Sequence, residues 1–258
     1  MTPLDGCFAV CAPGLEPLVA AELAALGITP REERGGVEFE ADRRALFRAN
    51  LRLRTATRVL LRLGTFRART FAELERRARG VPWDRLLGAG DHYRLRVSSA
   101  KSKLYHEGAV AERLHGVIEA KTGAREATRV EAGEGEADPE SLAADAQLFV
   151  VRFFRDECTV SADTSGAPLY MRGYRQELAR APLRETLAAA MLLAARWPMD
   201  EMLMDPFCGS GTIPIEAALL ARRIPPGLAS HDRVPRAFRF ETWPDHVAST
   251  HRVHAEAT

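Results

Sequence analysis

Lysine is almost missing from this chain: Lys101, Lys103 and Lys121 are its only three among 36 basic residues, and arginine supplies all the others. Asparagine occurs once, at Asn50. The four cysteines, Cys7, Cys11, Cys158 and Cys208, are badly spaced for a metal site. Cys7 and Cys11 lack the two-residue gap of a zinc knuckle, and no second pair or nearby His completes four ligands. Buried thiols in a reducing compartment account better for Cys7, Cys11 and Cys158. No uninterrupted apolar stretch approaches the roughly 20 residues that span a bilayer. The first six residues carry no basic segment ahead of an apolar one, so no signal peptide is expected and the cytoplasm is the default.

What is present describes a soluble globular protein: 258 residues, 46% hydrophobic and 28% charged, enough for one large domain or two to three small ones. The net charge of +1 hides a segregation. Thirteen arginines lie from Arg43 to Arg85, against Glu73, Glu75 and Asp84. From Glu126 to Asp145 the balance reverses, with Arg129 the one cation. A local excess of arginine suits a phosphate-contacting surface, because each neutralised phosphate releases counterions. It equally suits solvated helix faces in a chain that uses arginine in place of lysine.

Residues 7–12 read as a strand, and Pro17 stands in the first turn of a helix that Gly27 ends. The alternation Val37-Glu38-Phe39-Glu40 predicts a half-buried strand, Asp42 a helix cap, and Arg58–Phe66 another strand, together a small α/β unit of βαβ character. A second unit follows: a helix at 71–79, a strand at 93–99, a helix from about Tyr105 to Lys121 and an acidic loop at 131–140. It ends in two β runs, 147–154 and 157–163, joined by Arg155-Asp156 at hairpin spacing. After Gly173, Pro182 opens a helix running to about Trp197. Met202–Asp205 reads as a short strand and Thr212–Arg222 as a helix.

The stretch between them, Asp205-Pro-Phe-Cys-Gly-Ser-Gly-Thr212, is the most informative. A strand ending in Gly-x-Gly and feeding a helix lets backbone N–H groups approach a ligand at a partly positive helix end. A dinucleotide fold would place a third glycine at position 214, where Pro214 stands, and a P-loop would need a lysine that is absent. The remaining ligand reading is a methyl-donor loop, with the glycines making room for the amino-acid part of S-adenosylmethionine and the Asp205 carboxylate near its ammonium group. A tight turn with no ligand also satisfies the pattern. Glu216, in the first turns of the helix, is explained by the helix dipole alone.

The run Asp205–Ala218 resembles motif I of the THUMP-domain class I RNA methyltransferases, the bacterial guanine-N2 enzymes of 23S rRNA and tRNA. Residues 50–60, Lys101–His106, Arg172–Arg175 and Ala181–Ala188 resemble the same family in the same order. The resemblance implies an α/β protein: a ferredoxin-like region over 1–50, a THUMP RNA-binding domain over 51–163, and the start of a Rossmann-like methyltransferase domain over 164–258. It implies S-adenosylmethionine as cofactor, held by Asp205, Pro206, Cys208, Gly209, Ser210, Gly211 and Thr212 with Pro182, Leu183 and Thr186 beside them. It further implies RNA (rRNA or tRNA) as partner, contacted by Lys101, Ser102, Lys103, Arg172 and Arg175. The family's Asn-Pro-Pro-Tyr motif is absent, and with Asn50 the sole asparagine no displaced copy exists. The chain therefore reads as an incomplete enzyme, inactive by itself. The alternatives are an RNA-binding module without catalysis and, more weakly, a DNA adenine methylase.

Overall fold

The computed structural model describes residues 4–127, 146–175, 183–230 and 236–244; the acidic loop, Pro182 and the last residues lie outside this set. The elements run β1 (Leu4–Val10), α1 (Glu16–Ala25), β2 (Pro30–Glu33), β3 (Gly36–Ala41), α2 (Arg43–Arg52), β4 (Arg58–Arg67), α3 (Phe71–Ala78), β5 (His92–Ala100), α4 (Glu107–Thr122), β6 (Arg125–Glu126), β7 (Gln147–Phe154), β8 (Glu157–Asp163), α5 (Glu185–Ala194) and α6 (Thr212–Ala221). This is a mixed α/β fold. The chain divides into two units: residues 1–59 with 168–237, and 60–167 with 238–256.

In the first unit β3 pairs antiparallel with both β1 and β2. β2 was illegible in advance because Pro-Arg-Glu-Glu shows no apolar alternation. Gly36 sits where β3 meets β1; a Cβ there would lie 2.3 Å from the Ala9 carbonyl oxygen, so only glycine permits the pairing. Asp42 caps α2 as its type and place require, its Oδ1 accepting the Ala45 N–H at 2.7 Å. That cap orients α2 so that Leu46, Phe47 and Leu51 are buried. Farther along, α5 and α6 pack through Leu192, Ala217 and Leu220, with Leu203 and Trp197 against them.

The segment Met202–Asp205, expected as a strand, is not one. Its side chains keep a strand's alternation: Leu203 packs on the two helices, while Met202 and Met204 are 89% and 79% exposed. Among the described residues no strand lies beside it, and without a ladder to fill, extended backbone is not a β-strand.

The second unit carries the strand order β4-β8-β7-β5-β6, antiparallel from β4 to β7 and parallel from there on. Phe149, Val151 and Phe153 of β7 are buried, and Trp83 meets Phe149 edge-on at 5.0 Å. The alternate residues Arg152 and Phe154 are exposed. The β7–β8 hairpin has the predicted bounds. Arg155 and Asp156 take φ of 52° and 64°, a left-handed pair that favours glycine and costs side-chain-bearing residues roughly 1–2 kcal/mol each.

Candidate functional site

The loop before α6 is built from short-range bonds. The Asp205 carboxylate accepts the Phe207 N–H at 3.1 Å, and the Gly211 N–H donates to the Cys208 carbonyl at 2.8 Å. Gly209 and Gly211 adopt φ of 53° and 78°, and Gly211 is the N-cap of α6. Their left-handed backbone turns the chain sharply enough to present the start of α6, whose first amides have no acceptor within the helix. A Cβ on Gly211 would meet Ile215 Cδ1 at 3.7 Å, and Ile215 Cγ1 and Pro214 Cγ at 4.0 Å, all ordinary van der Waals contacts. Conformation, rather than crowding by the protein, therefore demands this glycine. Pro206, Phe207, Cys208, Gly209 and Ser210 are exposed, and Thr212 is buried. The loop is thus an open cradle over a helix N-terminus, with space and donors for an anionic or polar ligand.

Beneath it lies a buried polar network. One turn along α6 from Thr212, the wholly buried Glu216 receives Arg172 Nη1 at 2.9 Å and the Tyr174 hydroxyl at 3.0 Å. Arg172 Nη2 donates to the Arg54 carbonyl at 2.6 Å, and Arg54 Nη2 to the Ile224 carbonyl at 2.6 Å. The network therefore ties the base of the loop to the segment that follows α2. Burial pushes the Glu216 carboxyl up from its ordinary value, while Arg172, Tyr174 and Arg54 pull it down. Since arginine keeps its proton, a neutral Glu216 would strand a buried cation, and the ion pair is the arrangement the geometry supports. Burial, with the nearby Glu216 and Glu185 charges, drives the Tyr174 phenol strongly upward, keeping it a hydrogen-bond donor.

Two residues expected to meet RNA are committed elsewhere. Arg172 is withdrawn from solvent, its side chain 1% exposed, because the equally buried Glu216 needs a cation. Arg175 bridges the two sides of the cradle. Its Nη2 reaches the Leu183 carbonyl at 2.9 Å and Thr212 Oγ1 at 3.4 Å, and its Nε reaches Glu185 Oε1 at 3.2 Å. Leu183 is half-buried just ahead of α5 and Thr186 is buried inside that helix, while Pro182 lies outside the described residues. Lys101 and Lys103 are exposed in the second unit, on the turn after β5. Ser102 is instead a brace: its hydroxyl donates to the Ala100 carbonyl and accepts the Asp156 N–H, both at 3.0 Å. Tyr174, Glu185 and Arg54 escaped the sequence reading, because nothing local distinguishes a buried bridging arginine or tyrosine from a surface one.

Comparison with known proteins gives the chain two matching families. Residues 6–60 match the RlmL ferredoxin-like domain, and residues 172–254 match an RMKL-like methyltransferase domain. Bacillus subtilis YpsC, whose name suggests an RNA methyltransferase, is 35% identical over 214 residues, covering 83% of this chain and 54% of that protein. A structure from Listeria monocytogenes, described as a predicted N6-adenine-specific DNA methylase, is 36% identical with a TM-score of 0.82, covering 98% of this chain and 62% of that one. SMU.472, solved in complex with SAH, is 31% identical with a TM-score of 0.79, covering all of this chain and 65% of its own. The chain thus spans a little over half the length of these three relatives.

Proposed function

We propose that this chain is the RNA-recognising and donor-binding part of an S-adenosylmethionine-dependent RNA methyltransferase acting on a guanine N2 amine of rRNA or tRNA in the cytoplasm. The observation that carries the reading is the left-handed pair Gly209 and Gly211 at the open N-terminus of α6. The exposed loop has room for the donor's amino-acid tail, and the Asp205 carboxylate is a fitting partner for its ammonium group. When bound, the donor supplies an electrophilic methyl group. The residues here hold it: the α6 amides and Asp205 bind, Arg175 fixes Leu183 relative to Thr212, and Glu216 anchors the helix from below. The SAH bound to SMU.472 and the RMKL-like match over residues 172–254 support the cofactor.

Residues 51–163 we read as the THUMP part, with Lys101 and Lys103 contacting phosphate. The RNA methyltransferase name carried by the Bacillus subtilis relative favours RNA over the DNA adenine substrate named for the Listeria relative. The guanine N2 amine rests on the family resemblance alone. The Asn-Pro-Pro-Tyr that would grip it is not among these 258 residues, so they are proposed to bind the donor without completing transfer. Calorimetric titration with S-adenosylhomocysteine tests the donor site. Gly211→Val, which forces a branched side chain into φ 78°, should abolish binding. Unchanged affinity would leave the loop a mere turn.

A further inference from the structure

The position of the glycine loop follows that of α6, and α6 is held at two points that both lead to Arg54. At its middle, Glu216 receives Arg172 Nη1, while Arg172 Nη2 donates to the Arg54 carbonyl. At its far end, Arg54 Nη2 donates to the Ile224 carbonyl at 2.6 Å and lies 3.5 Å from that of Leu219. Leu219 belongs to the last turn of α6, where carbonyls have no partner inside the helix and a cation offsets the negative end of the dipole. Arg54 is itself fixed from α1, where Glu22 accepts its N–H at 2.8 Å and the Thr55 N–H at 3.1 Å. Shortly after α6, Gly227 presses on the end of α2. A Cβ there would stand 2.7 Å from Leu51 Cδ1 and 3.2 Å from the Leu51 carbonyl oxygen.

Glu22, Leu51 and Arg54 lie in the stretch that matches the ferredoxin-like family, and α6 in the stretch that matches the methyltransferase family. Residues 1–59 and 168–237 nevertheless form one unit. The mount matters through leverage. A tilt of about 4° about the far end of a helix roughly 15 Å long carries its first amides about 1 Å. That is enough to break hydrogen bonds confined to about 2.7–3.2 Å. We propose that Arg54 is a positioning residue of the donor site, and that the ferredoxin-like region is thereby part of the donor-binding unit. The proposal rests on the donor-loop reading given above and adds to it a region assigned no part in donor binding there.

Substituting the Arg54 side chain spares its turn, because the bonds to Glu22 and Arg172 are made by the main chain of this residue. Arg54→Met keeps length without donors, and Arg54→Lys keeps the charge without the fork. Val37→Ala, at a wholly buried position of β3, is the control for general loss of stability in the same unit. Calorimetry with S-adenosylhomocysteine is run on the full chain at a temperature where circular dichroism shows every variant folded, so that unfolding cannot weaken binding. Arg54→Met should bind about tenfold more weakly, as expected for the loss of about one hydrogen bond to the ligand. Arg54→Lys should fall between it and the parent, and Val37→Ala should stay within about twofold of the parent while lowering the urea midpoint. Parent-like affinity in Arg54→Met, or an equal loss in Val37→Ala, overturns the proposal while leaving the donor site intact. If Arg54→Met does not fold, parent-like affinity in Arg54→Lys overturns it and a loss supports it. If the parent chain does not bind S-adenosylhomocysteine, the donor-loop reading falls and this inference with it.

Discussion

Replacing Glu216 by alanine would leave the Arg172 guanidinium, 1% exposed, without its counter-charge and the Tyr174 hydroxyl without its acceptor. Breaking a buried ion pair from one side costs about 3–5 kcal/mol, and the lost hydroxyl bond adds about 1 kcal/mol. The Arg54 carbonyl still accepts from Arg172, which tempers the loss, so about 3–5 kcal/mol is the expected total. A folded domain has roughly 5–15 kcal/mol in hand, so the variant should be severely destabilised but still measurable in urea. Glu216→Gln keeps the shape and one of the two acceptor oxygens and should lose less. Arg172→Met with Glu216→Leu removes both charges and should recover most of the loss, since an apolar pair of similar volume needs no desolvation. Urea titrations followed by far-UV circular dichroism give the three free energies. A cost below about 1 kcal/mol for Glu216→Ala, within the range of ordinary surface substitutions, would refute the claim that a buried ion pair supports the loop.

Arg175→Ala should weaken S-adenosylhomocysteine binding about tenfold by freeing Leu183 from Thr212, a difference of about 1.4 kcal/mol, with RNA affinity unchanged; a loss of RNA affinity alone would return Arg175 to the RNA surface. Lys101→Ala with Lys103→Ala should flatten the dependence of log RNA affinity on log salt by roughly one to two units, as filter binding at several salt concentrations would reveal. Glu22 is half-buried and its carboxyl is raised by desolvation, so its contribution to stability is fully present below its unfolded pKa and fades as pH rises through the folded value. Urea midpoints for parent and Glu22→Gln across that range should converge toward higher pH if the sign is wrong and diverge in the variant's favour if it is right. Purified chain incubated with labelled S-adenosylmethionine and bulk rRNA or tRNA should transfer no methyl group, and any label in the RNA contradicts the need for the missing tetrapeptide.

Local signals carried most of the fold. Asp42, Gly27, the β7–β8 hairpin and both ends of α6 were legible because each depends on neighbours in sequence. What failed depends on partners distant in sequence. Met202–Asp205 has a strand's alternation but no ladder beside it, and β2 has a ladder without alternation. The glycine loop before α6 could be located because its glycines are a local requirement of the turn. The network below it could not: Arg172 resembles any surface arginine until Glu216, 44 residues on, is found facing it. Likewise Asp156 gave no sign that it holds Lys103, 53 residues away.

Cys208 offers the most direct test of the donor site, since it lies within the loop and is the one exposed thiol among the four. Burial pushes Cys158 up to about 12, and burial with the Glu16 charge pushes Cys11 up to about 11, so neither competes for an alkylating reagent near neutral pH. Iodoacetamide labelling at Cys208, followed by mass spectrometry at increasing S-adenosylhomocysteine, should slow along a saturable curve in the parent chain. Gly211→Val should label at a constant rate whatever the ligand concentration. Labelling of the parent that ignores saturating ligand would place the donor elsewhere and contradict the account.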